Sequence, residues 1–331
     1  MQKLKSISRK TKIALGTTVF LVLSATAVVQ ILKNRFPIEL HELEIKWDLH
    51  RHNVQTRNWN GWTVYERDLQ ENAPSTPART LTQNRYCLLF IHGLGDQALT
   101  WRKLLSTSPT AWNKPALLFA VDLPGSGLTS APKLPQNYRA RILASDLAQR
   151  LQNAPECSDW LVVGNSFGGM VAAWIALDHP EKIRRLALVG AGGLSPPPSA
   201  DAQNSLSAFL KPTEESILEF QKRAYFKPRP LPAAALKAAV ARMAKGNSQA
   251  ILAAQTPQDW IGPELNKKRN YKIPTWVIWG EADRIVPMEV GQEWHRKIRG
   301  SFFRTLPQCG HLPQKECPED LIRYLNESLA D

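Results

Sequence analysis

A serine between two glycines, Gly164-Asn165-Ser166-Phe167-Gly168, is the stretch of this sequence whose residue types and spacing point most directly to chemistry. The apolar run Leu161-Val162-Val163 predicts a strand ending at Gly164, and Met170 to His179 predicts a helix that follows at once. A serine at such a hinge sits on a sharp, strained turn, and Gly164 and Gly168 lack the side chains that would collide as strand and helix cross. Ser166 Oγ then stands clear of the sheet edge, with the helix N-terminus behind it. The Phe167 N–H points towards any oxyanion formed there, so nucleophilic attack on a carbonyl is the chemistry implied. Other candidates carry less. His50-Arg51-His52 invites a metal reading, but nothing nearby completes a ligand set. The four cysteines, Cys87, Cys157, Cys309 and Cys317, show no CxxC spacing. Neither a metal nor an organic cofactor is expected.

Strand, Gly-Asn-Ser-Phe-Gly, helix resembles the nucleophile elbow of the α/β-hydrolase superfamily. Three further motifs extend the resemblance over roughly Tyr86 to Leu329. After the apolar run Tyr86 to Ile91 comes His92-Gly93-Leu94-Gly95, where that family places its second oxyanion donor; the match implies the backbone N–H of Leu94 beside that of Phe167. Gly280-Glu281-Ala282-Asp283-Arg284-Ile285-Val286-Pro287 is similar to the family's acid turn. It implies Asp283 as the acid, with Glu281 the alternative. The family order Ser, Asp, His leaves His295 and His311 as possible bases. His295 falls in the amphipathic stretch Glu293-Trp-His-Arg-Lys, whereas His311 lies in the loop Cys309-Gly310-His311-Leu312 between a last strand and a last helix. The resemblance therefore implies a catalytic set of Ser166, Asp283 and His311. Asp122, in Asp122-Leu-Pro-Gly-Ser-Gly127, reads as a structural turn residue because it precedes the nucleophile.

Several elements must position these groups. Strands are expected at Tyr86–Ile91, Leu117–Val121, the run before the elbow, Leu186–Gly190, Thr275–Gly280 and, as a short one, Phe302–Leu306, with a helix at Tyr138–Leu151. Their alternation implies an α/β protein with a mostly parallel, doubly wound sheet and right-handed crossovers. The alternation stops at Gly192 and resumes near residue 274. The stretch between holds helical runs at Thr213–Tyr225, with Thr213 as N-cap, and at Leu231–Ala244. Its position resembles the family's inserted helical cap, whose Phe209, Ile217, Leu218, Phe220 and Phe226 are expected to pack on the core. The expected organisation is an N-terminal signal-anchor or signal peptide over 1–35, a first core part over 36–191, a cap over 192–273 and a second core part over 274–331. Within the first part, residues 36–83 read as lead-in, with Trp62–Tyr65 as an edge strand.

The chain has 331 residues, 43% of them hydrophobic and 21% charged, with a net charge of +13. No basic–aromatic or zinc pattern accompanies that charge, so no nucleic-acid partner is expected, and attraction to an anionic lipid surface accounts for it as well. Lys3, Lys5, Arg9, Lys10 and Lys12 precede a charge-free run, Ile13 to Leu32. About 20 residues at about 1.5 Å each cross a hydrocarbon core of about 30 Å. The run reads as a membrane anchor, or as a cleaved signal peptide with Ala25-Thr26-Ala27 as its site. Either places the body on the non-cytoplasmic side, membrane-anchored or secreted. In that compartment Cys309 and Cys317 could pair as a loop staple; two free buried thiols are the alternative.

A serine at the elbow implies an acyl-enzyme hydrolase. The elbow is similar both to capped bacterial lipases and esterases and to hydrolases that cleave carbon–carbon bonds in meta-cleavage products. The N-terminal run favours the first: a carboxylic-ester hydrolase acting on acyl lipids or hydrophobic esters. The alternatives are the carbon–carbon hydrolase and a non-catalytic binding protein of the same fold.

Overall fold

Among the described residues the chain forms eight strands: β1 (Gln55–Trp59), β2 (Trp62–Asp68), β3 (Arg85–Ile91), β4 (Ala116–Val121), β5 (Cys157–Asn165), β6 (Arg185–Val189), β7 (Thr275–Gly280) and β8 (Phe302–Leu306). The computed structural model describes residues 37–70, 85–114, 116–195, 206–267 and 271–330. The strands make one sheet in the order β1-β2-β4-β3-β5-β6-β7-β8. β1, β2 and β4 pair antiparallel, and β4-β3-β5-β6-β7-β8 are parallel. The α/β, mostly parallel architecture expected from the alternation is the one found.

Its central strands are apolar without interruption because both faces are covered. Leu89, Ile91, Phe119, Val162 and Leu188 face a layer containing helix Ala140–Arg150 and the elbow helix Phe167–Asp178. The alternate residues Leu88, Phe90, Leu118 and Val163 face the other layer, where Trp101, Leu104, Leu321 and Leu325 pack. The last two belong to the C-terminal helix Pro318–Leu329.

Two readings of the lead-in need correction. Trp62–Tyr65 is not an edge strand. β2 runs on to Asp68 and lies between β1 and β4, and Trp62 to Arg67 are all buried. The edge is β1, which reaches β2 through a two-residue turn at Asn60-Gly61 with φ of 49° and 92°. Both residues must take positive φ for the turn's twist to match the strands, and Asn-Gly does so at least cost. That dipeptide was the overlooked signal. Pro37–Arg51, where no element was expected, is a helix. The Ile13–Leu32 run lies outside the described residues; among these, no helix is long and apolar enough to cross a membrane.

Between β6 and β7 the described residues form helices and no strand: Ser207–Leu210, Glu214–Ala224, Ala233–Lys245, Ser248–Ala254 and Gly262–Lys267. Thr213 caps the second of these, its side chain accepting from the Ser216 N–H at 3.1 Å. Phe209 and Ile217 are buried, but Leu218 and Phe226 are each 39% exposed, against the expectation that all five aromatics and aliphatics pack on the core. This inserted segment is seated on the sheet's carboxyl edge. The Phe209 ring lies where a Cβ at Gly95 would be, at 2.7 Å, and Asn247 Nδ2 donates to the Gly125 carbonyl at 2.8 Å.

Both cysteine pairs are bonded. Cys309–Cys317, one of the two alternatives left open for those thiols, closes a short loop, and Cys87–Cys157 ties the starts of neighbouring strands β3 and β5. The second pair spans 70 residues and leaves no local spacing to read. By loop-closure entropy it contributes about 4 kcal/mol relative to the reduced unfolded chain.

Candidate active site

Strand β5 runs straight into the elbow helix, and Ser166 is the single residue between them. Its φ of 55° and ψ of −118° lie where a non-glycine residue is strained, at a cost of about 1–3 kcal/mol. Surrounding bonds hold it there. The Ser166 N–H donates to the Val189 carbonyl at 3.1 Å, and the Ser166 carbonyl accepts from Gly169, Met170 and Gly192 at 3.0–3.2 Å. The glycines work by absence: a Cβ on Gly164 would sit 2.2 Å from the Gly168 carbonyl oxygen, and one on Gly168 would sit 2.3 Å from that of Ile91. The strained hinge is where the sequence put it.

The loop after β3 comes up against this elbow. A Cβ at Gly93 would lie 3.1 Å from Ser166 Cβ, so the two backbones pass close together there. His92, whose role the sequence did not disclose, braces the loop. Its Nδ1–H donates to the Gly93 carbonyl at 2.8 Å, and its Nε2 accepts the Leu123 N–H at 3.1 Å. Accepting that bond requires a neutral ring, and burial lowers the His92 pKa accordingly. Asp122, buried, accepts N–H bonds from Ala98 at 2.7 Å and Leu128 at 2.9 Å, as a turn residue does; burial pushes its carboxyl up.

At the ends of β7 and β8 an acid and a base meet. Asp283 Oδ1 accepts the N–H groups of Ile285 and Val286, both at 2.9 Å, which fixes the carboxylate plane. Its Oδ2 takes the His311 Nδ1–H at 2.7 Å, with both side chains almost fully buried. Room for the pair comes from Gly190, with φ of 53°, where a Cβ would lie 3.2 Å from Asp283 Oδ2 and 3.3 Å from His311 Nδ1. The rival residues lie elsewhere. Glu281 bonds the Thr305 hydroxyl, and His295 bonds Ser301 Oγ while stacking on Phe303.

Asn165, the residue before Ser166, links the parts. Fully buried, it donates from Nδ2 to the carbonyls of both Val189 and His311 at 3.0 Å, and its Oδ1 accepts from Gln314 at 3.1 Å. Hence Ser166 and the Asp283–His311 pair stand at the same carboxyl edge of the sheet, tied through one amide side chain. Such a gathering of serine, imidazole and carboxylate suits acyl transfer.

At the rim, Asp96 and Lys315 form an ion pair at 2.6 Å, with side chains 16% and 32% exposed. Burial would raise the Asp96 pKa, but the charge and hydrogen bond of Lys315, helped by His92 and Arg242, outweigh it and hold it at about 2. Lys315 is raised in turn: burial lowers it most, but the charge and hydrogen bond of Asp96 together with Tyr225 outweigh that. A carboxylate pKa depressed below its unfolded value of about 3.9 adds stability that is complete above that value and is lost as pH falls towards about 2. Asp96→Asn is expected to cost roughly 1–2 kcal/mol at neutral pH after allowing for solvent screening. Its melting temperature should also depend less on pH in the window from about 4 to about 2. Parallel acid limbs for mutant and wild type would contradict this.

Fold and site together define a class. The chain belongs to the family described as alpha/beta hydrolase fold, which it matches over residues 86–318. Among known proteins it is similar to protein ABHD8 of Bos taurus, 24% identical over 255 residues, covering 73% of this chain and 55% of that one. The chain thus spans about half the length of those relatives. It is also 27% identical over 257 residues to a 2-hydroxy-6-oxononadienedioate/2-hydroxy-6-oxononatrienedioate hydrolase of Klebsiella pneumoniae subsp. pneumoniae, covering 73% of this chain and 86% of that one. In fold it is similar to a solved membrane phospholipase A, a bacterial virulence factor, with a TM-score of 0.68 and 22% identity over 96% of this chain and 97% of that one.

Proposed function

We propose that the protein is a serine carboxylic-ester hydrolase acting on acyl lipids or similarly hydrophobic esters. The observation that carries this reading is the strained Ser166 elbow standing at the same sheet edge as the buried Asp283–His311 pair. His311 Nε2 takes the Ser166 proton, Ser166 Oγ attacks the ester carbonyl, and the amides of Leu94 and Phe167 bind the oxyanion. His311 then protonates the departing alcohol. Water activated by the same ring cleaves the acyl-enzyme and restores Ser166. Asp283 keeps Nδ1 protonated and stabilises the imidazolium. The inserted helical segment acts as a cap, with Phe209 over the oxyanion loop. The charge-free Ile13–Leu32 run serves as a membrane anchor or signal peptide, with the catalytic body outside the cytoplasm, where both disulfides persist.

Purified protein is therefore expected to release p-nitrophenol from medium-chain p-nitrophenyl esters, faster with detergent micelles present if lipid is the natural substrate. The 27% identity to a hydrolase of oxo-dienoic acids supports a second reading, carbon–carbon cleavage of such substrates by the same triad. Turnover confined to those acids, with the ester panel inert, would replace the first reading by the second.

A further inference from the structure

The loop that carries His311 lies between Cys309 and Cys317, which are joined, and it contains one carboxylate that faces inwards on its own backbone, Glu316. Its Oε2 accepts the Gly310 N–H at 2.7 Å, on the residue immediately before His311. The same oxygen accepts the Phe226 N–H at 3.1 Å, and Oε1 accepts the Lys227 N–H at 2.9 Å. Residues 226 and 227 belong to the inserted segment, just past the end of helix Glu214–Ala224. One carboxylate thus gathers three amides from two pieces of chain more than 80 residues apart.

Neighbouring contacts run the same way. The His311 N–H donates to the buried Ala224 carbonyl at 2.7 Å, and the N–H of Arg284, next to Asp283, donates to the Arg223 carbonyl at 3.2 Å. A Cβ on Gly310 would lie 2.3 Å from that same Ala224 oxygen, so the two backbones touch. The stretch 223–227 therefore borders both the acid loop and the base loop. Bonds to a charged acceptor are stronger than neutral ones, and Glu316 supplies such an acceptor to three amides of this seam.

We propose that Glu316 is a positioning residue. It fixes the His311 loop against the exit of the inserted segment, so that the imidazole is aligned only when that segment is seated. The proposal rests on the serine-hydrolase reading, since alignment matters only if His311 is the base. Displacing a base by about 1 Å costs on the order of 100-fold in rate while leaving substrate contacts in place. A residue that merely stabilised the fold would alter the folded fraction instead.

The experiment uses the full chain with its disulfides intact and compares wild type, Glu316→Ala and Glu316→Gln. It measures kcat and KM on a p-nitrophenyl ester and the second-order rate of inactivation by a fluorophosphonate. Glu316→Ala is expected to lose about 10- to 100-fold in kcat, with KM within about threefold, and to inactivate more slowly by the same factor. Glu316→Gln keeps the volume and one acceptor oxygen and should fall between the two. If the alanine variant does not fold, the glutamine variant decides by the same measures. Folded variants whose kcat and inactivation rate match wild type, or in which KM alone rises, overturn the proposal. A wild-type protein inert to the fluorophosphonate instead overturns the reading beneath it, and the proposal with it.

Discussion

Ser166→Ala is expected to lose ester hydrolysis by on the order of 10⁴- to 10⁶-fold while keeping its fold. The substitution removes only the hydroxyl oxygen. The bonds that shape the elbow, from the Ser166 N–H to Val189 and to the Ser166 carbonyl from Gly169, Met170 and Gly192, are all backbone bonds. Alanine at φ 55° is strained no more than serine was, so the melting temperature should move by only a few degrees. Whatever rate remains reports water attacking a carbonyl polarised by the amides of Leu94 and Phe167. Kinetics will show the loss in kcat rather than in KM, because the hydroxyl contributes little to holding the ester. A variant that retains a tenth of wild-type turnover would mean that some other group attacks.

Asp283→Asn should cost about 10⁴-fold in kcat, although the side chain barely changes shape. The local geometry gives the reason. Ile285 and Val286 both aim their N–H groups at Oδ1, so the carbonyl oxygen of an asparagine must take that position. Its NH2 group then faces His311 Nδ1 where a carboxylate oxygen stood at 2.7 Å. An N–H donor there drives the imidazole to the tautomer protonated on Nε2, which cannot accept the Ser166 proton. No flip rescues it, because turning the amide would point N–H against N–H at two backbone groups. Glu281→Gln, which alters a side chain bonded to Thr305 instead, should leave turnover within a factor of two. Comparable losses in both variants would move the acid away from Asp283.

The sequence disclosed those parts of fold and site whose physics is local. Gly164 and Gly168 flank Ser166 because backbones pass within van der Waals range there, and a glycine required by contact leaves its mark on the sequence. The parallel strands showed as unbroken apolar runs because both faces of β3 to β7 are covered. What stayed hidden depends on groups distant in sequence. Cys87 and Cys157 meet only because β3 and β5 are neighbours in the sheet, and nothing at either site announces the other. Asn165 could be read as a spacer in the elbow motif; that its amide grips the His311 carbonyl follows from the last loop folding back over β5. Glu316 is an ordinary surface-type residue until its three amide partners are assembled. The hairpin at Asn60-Gly61 is a different case, since its signal is local but sits within a polar lead-in with no apolar strand pattern before it. Leu218 and Phe226 were expected on the core, yet an amphipathic helix can leave part of its apolar stripe outward, as at Leu218, and Phe226 lies beyond the end of that helix.

The most direct test of the central claim is the site of covalent modification by a fluorophosphonate, read by peptide mass mapping in wild type and in His311→Ala. The account predicts one label per chain, on the peptide containing Ser166, and labelling slowed by several decades when His311 is removed. Modification of a different serine, or equal labelling of Ser166 with and without His311, would contradict it.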